Sequence, residues 1–154
     1  RNTFQTLKVN NGRMEEFRDG ESRIVLNLAK NPVGANMTLR TFNEMEGEKE
    51  LLFVLNDNIE DGCDVSWIWD INFSIFRNVS RVVTSGSRAY DIAIRIKVSG
   101  YDAKKITVIP DIQAASDEFL STTGQKFAIA NYSAVQPVRA ALKKTIEGKA
   151  RKNG

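Results

Sequence analysis

Residues Leu51 to Leu55, Leu-Leu-Phe-Val-Leu, form an unbroken apolar run that ends in the polar cluster Asn56-Asp57-Asn58. A strand with one wet face alternates apolar and polar residues. A short run that is apolar at every position is the pattern of a strand covered on both faces, as in a parallel sheet with helices above and below it. The chain keeps that rhythm from Arg23 onward. Short β-branched runs predict strands near 23–29, 50–56, 80–85, 104–109 and 126–130, and helical spacing predicts helices near 33–46, 87–98, 111–122 and 133–147. Such alternation specifies an α/β fold, a Rossmann-like three-layer sandwich around a mostly parallel sheet with right-handed crossovers.

Local signals sharpen the helix ends. Ala89, Ile92, Ala93 and Ile96 share one face of the 87–98 segment, with Ser87 placed to cap it and Gly100 to stop it. Asp111, after Pro110, opens a helix that buries Ile112, Ala115, Phe119 and Leu120. The last helix follows Ser133 and carries Val135, Val138 and Leu142, with Pro137 tolerated in its opening turn. Residues 1–22 do not join the pattern. Leu7 to Phe17 reads as a strand or hairpin around Asn10-Asn11-Gly12, and residues 1–22 as a cut linker plus the first strand. The α/β domain then spans 23–147, and 148–154 is expected to be a basic, frayed tail.

A length of 154 residues suits one domain of ordinary size, and 42% apolar with 27% charged residues describes a globular chain. No apolar stretch approaches the roughly 20 residues that span a bilayer, so neither a transmembrane segment nor a signal peptide is expected. The net charge of +3 hints at nucleic acid until Lys143, Lys144, Lys149, Arg151 and Lys152 are located in the last dozen positions. Without that segment the body is slightly acidic, and a nucleic-acid footprint is not expected. A single cysteine, Cys63, precludes an internal disulfide and fits a reducing compartment. With no histidine, the chain cannot house a Ser-His or Cys-His pair by itself, and no metal site is expected. Neither Gly-x-x-x-x-Gly-Lys-Ser/Thr nor Gly-x-Gly-x-x-Gly occurs, so a phosphate-binding loop is missing from this sequence.

Ligands of open α/β sheets gather beyond the carboxyl ends of the strands. Asn56, Asp57, Asn58, Glu60, Asp61 and Asp64 fall there after one strand, and Lys30, Asn31 and Asn36 after another. Each group also has a plain structural reading. The first can be a solvated acidic turn with Trp67 and Trp69 tucked into the core, and the second a strand-to-helix turn shaped by Pro32 and Gly34. Arg88 and Asp91 fit helix capping and a surface pair. Arg13 reads as a surface residue.

Four strings carry a resemblance. Gly12-Arg13-Met14-Glu15, followed by an apolar strand and Asn27-Leu28-Ala29-Lys30-Asn31-Pro32, resembles the opening of Mur ligase C-terminal domains, whose usual form is Gly-Arg-x-Glu and then Asp-Tyr-Ala-His-x-Pro. Here Asn27 stands for the aspartate and Lys30 for the histidine. Asp61-Gly-Cys-Asp64-Val-Ser-Trp-Ile-Trp-Asp70 and Thr84-Ser-Gly-Ser-Arg-Ala-Tyr-Asp-Ile-Ala-Ile-Arg95 resemble the MurT branch of that family, and the likeness covers about residues 10 to 142.

The resemblance implies a Mur ligase C-terminal type of fold and a cytoplasmic ligase that, with a GatD-like class I glutaminase partner, amidates D-glutamate in lipid II during peptidoglycan synthesis. ATP and Mg would be bound mainly by a central domain missing from this sequence, and ammonia from glutamine would attack an acyl phosphate. It also implies that an aspartate of this domain reaches the Cys and His of the glutaminase. Asp64 is the first choice, with Asp61 and Asp70 as alternates. Arg13 would contact ATP when the domains close, and Lys30 and Asn31 stand at positions near nucleotide and acceptor. The isolated domain is expected to be inactive. Two other readings stay open: a non-catalytic docking module for the glutaminase, and a stand-alone small-molecule enzyme with an acidic site.

Overall fold

The structure, a computed structural model, describes residues 14–153 in full and the backbone of residues 4–7. Its elements run in the order β1 (Phe4–Leu7), β2 (Met14–Asp19), β3 (Ser22–Leu28), α1 (Pro32–Glu44), β4 (Lys49–Val54), β5 (Val79–Ser85), α2 (Ala89–Val98), β6 (Ile106–Val108), α3 (Ile112–Phe119), β7 (Gln125–Ala130) and α4 (Tyr132–Asn153). Three 3-10 turns, Ile59–Asp61, Ser66–Asp70 and Phe73–Ile75, lie between β4 and β5. The described strands form one sheet in the order β1-β2-β3-β7-β4-β5-β6. Pairing is parallel from β3 through β6 and antiparallel at β1–β2 and β2–β3.

The apolar run does what its composition demands. Residues 51–55 are at most 1% exposed, and they divide between two cores. Leu51, Phe53 and Leu55 meet Ala35, Leu39 and Phe42 of α1, Ile92 and Ile96 of α2, and Val65, Ile68, Ile71 and Phe73 of the long β4–β5 connection. Leu52 and Val54 point the other way, toward Ala115 and Phe119 of α3 and Ala134, Val138, Leu142 and Ile146 of α4. The result is the expected three-layer sandwich, mostly parallel, with β4 buried on both faces.

Met14–Asp19, within the segment read as a linker plus the first strand, is a strand paired antiparallel with β1 and, through a turn at Gly20 (φ +61°), with β3. Its charges are paired: Glu16 with Arg18 and Arg23 at 2.9 and 3.1 Å, and Glu15 with Arg139 of α4. Other local expectations change. The expected turn at Asn10-Asn11-Gly12 lies outside the described residues. The tail is helical to Asn153 rather than frayed, because Lys149 reaches back to Asp19 at 2.6 Å and to the Leu120 carbonyl. That helix begins at Tyr132, so Ser133 is already helical and Pro137 lies inside the helix, just past its opening turn. Finally, Arg88, not Ser87, occupies the cap position of α2, and the Ser87 hydroxyl is spent elsewhere. Asp111 does cap α3, accepting from the Ala114 N–H at 2.9 Å.

At the amino-terminal side of the sheet, Lys126, Glu50 and Arg81 stand side by side in register on β7, β4 and β5. The Lys126 side chain is fully buried and donates to Glu50 at 2.8 Å; Arg81 donates to Glu50 at 2.8 Å and to Glu118 at 2.7 Å. Burial pushes the Glu50 carboxyl up, but bonds from Lys126, Arg81 and Thr122 prevail and hold it below its ordinary value. Burial also lowers Lys126, while its bond to Glu50 and the carboxylate's charge oppose that shift. Glu50→Ala is expected to cost about 3–5 kcal/mol in denaturant unfolding, because it leaves a buried cation without its anion. A carboxyl lowered by folding contributes stability above its unfolded pKa of about 4.3 and loses it as the pH falls through the folded value. The stability gap between wild type and Glu50→Gln should therefore narrow below about pH 4.

Candidate functional site at the carboxyl edge of the sheet

The carboxyl ends of β7, β4 and β5 are tied into one platform by side-chain amides. Asn131, 3% exposed, accepts from the Asn56 N–H at 3.0 Å and donates to the Asn56 carbonyl at 2.8 Å. The Asn56 side chain accepts from the Ser87 N–H at 3.0 Å. Gly86 makes this approach possible. At φ +93° a Cβ there would lie 2.4 Å from the Leu55 carbonyl oxygen and 2.7 Å from Asn56 Oδ1. Beside it, Asp57 accepts from Ser87 Oγ at 2.8 Å and pairs with Arg88 at 3.2 Å, while Arg88 also pairs with Asp91 at 2.8 Å. The Ser87 hydroxyl, then the Arg88 guanidinium, hold the Asp57 carboxyl below its usual range.

The acidic stretch leaves this platform as an ordered loop. Its first 3-10 turn is pinned by Asp61, whose carboxylate accepts from the Ser133 N–H at 2.9 Å, from Ser133 Oγ, and from the Asn58 N–H at 3.2 Å. Gly62 and Cys63 both take left-handed backbone angles, +84° and +61°. Asp64 then accepts from the Ser66 N–H at 2.9 Å, and that bond holds its carboxyl below the usual value. Val65, Ile68, Ile71 and Phe73 sink into the core, so Asp64, Ser66, Trp69 and Asp70 are left facing out.

Arg95 of α2 braces the second turn. Its guanidinium donates to the Ile68 carbonyl at 3.0 Å and to the Ile71 carbonyl, and lies 5.4 Å from the Trp69 ring and 5.5 Å from that of Phe73. Trp67 packs against the core, as the plain reading expects, but Trp69 is half exposed.

The sequence-selected residues therefore separate. Lys30, Glu60, Asp61, Trp67, Asn131 and Tyr132 line one open cavity of about 300 Å³. Asp64 and Asp70 are exposed outside that lining. Asn31 Oδ1 caps α1 by accepting from the Gly34 N–H at 2.9 Å. Asn36 braces the loop, donating to the Asp70 carbonyl at 3.3 Å and accepting from the Asn72 N–H at 2.7 Å. Arg13 lies outside the described residues. Cys63 is exposed. Among the described residues no cluster of three or more Cys, Asp or Glu side chains is placed to hold a metal, and no helix is long and apolar enough to cross a membrane. Asn131 and Ser133 were not selected as site residues from the sequence. Their partners lie 75 and 72 positions away, beyond the reach of any local pattern.

This arrangement, a mostly parallel α/β sandwich with its polar platform beyond the strand carboxyl ends, has the fold of a Mur ligase C-terminal domain. It is similar to part of the UDP-N-acetylmuramate-alanine ligase MurC of Thermotoga maritima (TM-score 0.60, 12% identity, 88% of this chain and 29% of that one). It is also similar to part of the folylpolyglutamate synthase of the same organism (TM-score 0.63, 20% identity, 88% of this chain and 31% of that one). The model of the MurT ligase C-terminal family matches residues 28–135, and the chain belongs to that family. The lipid II isoglutaminyl synthase (glutamine-hydrolyzing) subunit MurT of Staphylococcus aureus strain COL is 35% identical over 150 residues, covering 96% of this chain and 34% of the relative. The subunit of the same name from Streptococcus pneumoniae strain ATCC BAA-255 / R6 is 36% identical over 104 residues, 66% of this chain and 23% of the relative. The chain thus spans about a third of the length of the staphylococcal relative.

The platform makes a sharp prediction at Gly86. Gly86→Ala is expected to lose more than about 2 kcal/mol in chemical denaturation, because left-handed strain and a backbone clash add. Gly20→Ala, also left-handed but with nothing within 4 Å of the added Cβ, should lose only about 1–2 kcal/mol.

Proposed function

We propose that this chain is the C-terminal domain of a MurT-type ligase subunit. With a GatD-like glutaminase it amidates the D-glutamate carboxylate of lipid II at the expense of ATP and glutamine. Membership of the MurT ligase C-terminal family supports this reading, as does the likeness to subunits named for that activity. The observation that carries the site assignment is Asp64, an exposed carboxylate on a braced loop in a chain without histidine. Ser66 orients the carboxylate through its N–H and its hydroxyl, and the exposed group can accept a further hydrogen bond from an imidazole N–H. In that role an aspartate fixes the tautomer of the imidazole and stabilises its charged form, as the third member of a nucleophile–base–acid triad does. The partner supplies the thiol and the imidazole, glutamine is hydrolysed to glutamate and ammonia, and ammonia displaces phosphate from the activated acceptor carboxyl.

Little in the described residues is built to cradle a nucleotide by itself. The sequence has no phosphate-binding loop, and Asn31 Oδ1 is committed to Gly34, which leaves only its amide NH₂ for a ligand. In this reading ATP and Mg are held mainly by a domain beyond this sequence, with Lys30 and Arg13 as the cations this domain turns toward the nucleotide. Dependence on ATP and glutamine puts the reaction in the cytoplasm.

A second reading, a docking module without a catalytic aspartate, rests on Ile59 (88% exposed) and Trp69 (50% exposed), which flank Asp64 in sequence and offer apolar contact to a partner. Asp64→Asn in the full ligase subunit separates the two. If Asp64 serves the triad, glutamine hydrolysis by the complex falls by at least tenfold and as much as ~10⁴-fold, while the Kd between subunits holds. A loss that tracks a weakened Kd favours docking, and an unchanged rate removes Asp64 from the chemistry.

A further inference from the structure

Asp61 shares its motif with Asp64 yet is placed for a different task. Its Oδ1 accepts from the Ser133 N–H at 2.9 Å, and its Oδ2 from Ser133 Oγ and, at 3.2 Å, from the Asn58 N–H. The carboxylate sits at the amino end of α4, where the helix dipole favours an anion. Helix α4 is itself fixed to the sheet by buried Ala134, Val138, Leu142 and Ile146. Asp61 therefore ties the loop to the most extensively anchored helix of the domain.

Little slack separates Asp61 from Asp64. The N–H of Asp61 bonds the Asn58 carbonyl at 2.9 Å, that of Gly62 the Ile59 carbonyl at 3.0 Å, that of Cys63 the Asn58 carbonyl at 3.3 Å, and that of Asp64 the Gly62 carbonyl at 2.7 Å. With the two intervening residues held at left-handed angles, the position of Asp64 is set by where Asp61 is fastened. Downstream, Arg95 and the buried Val65 and Ile68 hold the other side of the loop. Releasing Asp61 would free the upstream side alone.

We propose that Asp61 and Ser133 form a positioning clamp that sets the location of the Asp64 carboxylate. The clamp deepens the proposed role of Asp64 toward the partner's imidazole and rests on it. It gives Asp61 the work of placing the reacting side chain rather than touching the reacting groups. A carboxylate that must meet an imidazole across a subunit boundary needs such placement, since a misplacement of about 1 Å can cost on the order of 10²-fold in rate.

The test uses the full-length ligase subunit with its glutaminase partner and reads glutamine hydrolysis, Tm and the Kd between subunits. Asp61→Asn and Ser133→Ala should each lower kcat by roughly 10- to 100-fold with Tm and Kd little changed, and Ser133→Thr should retain most of the rate. The decisive readout is a double-mutant cycle. Because Asp61 acts through Asp64, adding Asp61→Asn to Asp64→Asn should lower the rate by no more than about twofold further. Losses that multiply in the double variant overturn the clamp, as does a wild-type rate in both Asp61→Asn and Ser133→Ala beside a depressed rate in Asp64→Asn. A wild-type rate in Asp64→Asn overturns the role of Asp64 and the clamp together.

Discussion

The geometry of this domain depends on where its last strand goes. Residues 125–130 do not extend an edge of the sheet; they insert between β3 and β4 and pair in parallel with both. That insertion brings Asn131 beside Asn56 and Ser133 beside Asp61, and it lays α4 across the face opposite α1 and α2. Adjacent strands then send their connections to opposite faces, α1 after β3 and α4 after β7. In open α/β sheets such a divergence opens a crevice beyond the strand ends. The cavity lined by Lys30, Asp61 and Asn131 lies at that divergence.

The two edges of the sheet handle polarity in opposite ways. At the amino edge, Lys126, Glu50 and Arg81 are withdrawn from water and satisfied by one another, an arrangement that is costly to break but presents nothing to a ligand. At the carboxyl edge, neutral amides form the buried links and the carboxylates sit at the surface. Asn56 and Asn131 cross-link strands without burying charge, so the platform avoids most of the desolvation penalty that an ion pair would bring there. The acidic residues above it remain hydrated and can respond to another molecule.

Those features that depend on sequence-local chemistry were legible in the chain. The run from Leu51 to Leu55 specified a doubly covered strand, helical spacing located α2 and α3, and Asp111 marked its cap. The resemblance carried by the Asp61–Asp70 string pointed to the loop. Features set by distant pairing were not legible. The ion pairs that seat β2 were not legible, because Glu15 and Glu16 look solvated until Arg139, Arg18 and Arg23 are brought to them. The end of α4 looked like a loose basic tail because the partner of Lys149, Asp19, lies 130 positions earlier. Ser87 looked like a helix cap, yet Asp57 on a neighbouring strand end takes its hydroxyl. In each case a local propensity yielded to a tertiary hydrogen bond that no periodicity encodes.

The same reasoning sorts three aspartates that the motif alone leaves equivalent. Asp61 accepts three hydrogen bonds and lies at a helix terminus, so its lone pairs are largely committed within the domain. Asp70 holds the chain through its backbone carbonyl, which Asn36 bonds, while its side chain stands exposed at the end of the second 3-10 turn. Asp64 alone of the three combines a fixed carboxylate, held by the Ser66 N–H, with an exposed position between two anchored turns. A group proposed to serve another subunit needs both properties. Without the bond to Ser66 it would lose orientation to side-chain rotation, and without exposure it could not be reached. The Val-Ser-Trp-Ile-Trp segment after it supplies both at once, burying Val65 and Ile68 while turning the Ser66 N–H back onto the aspartate.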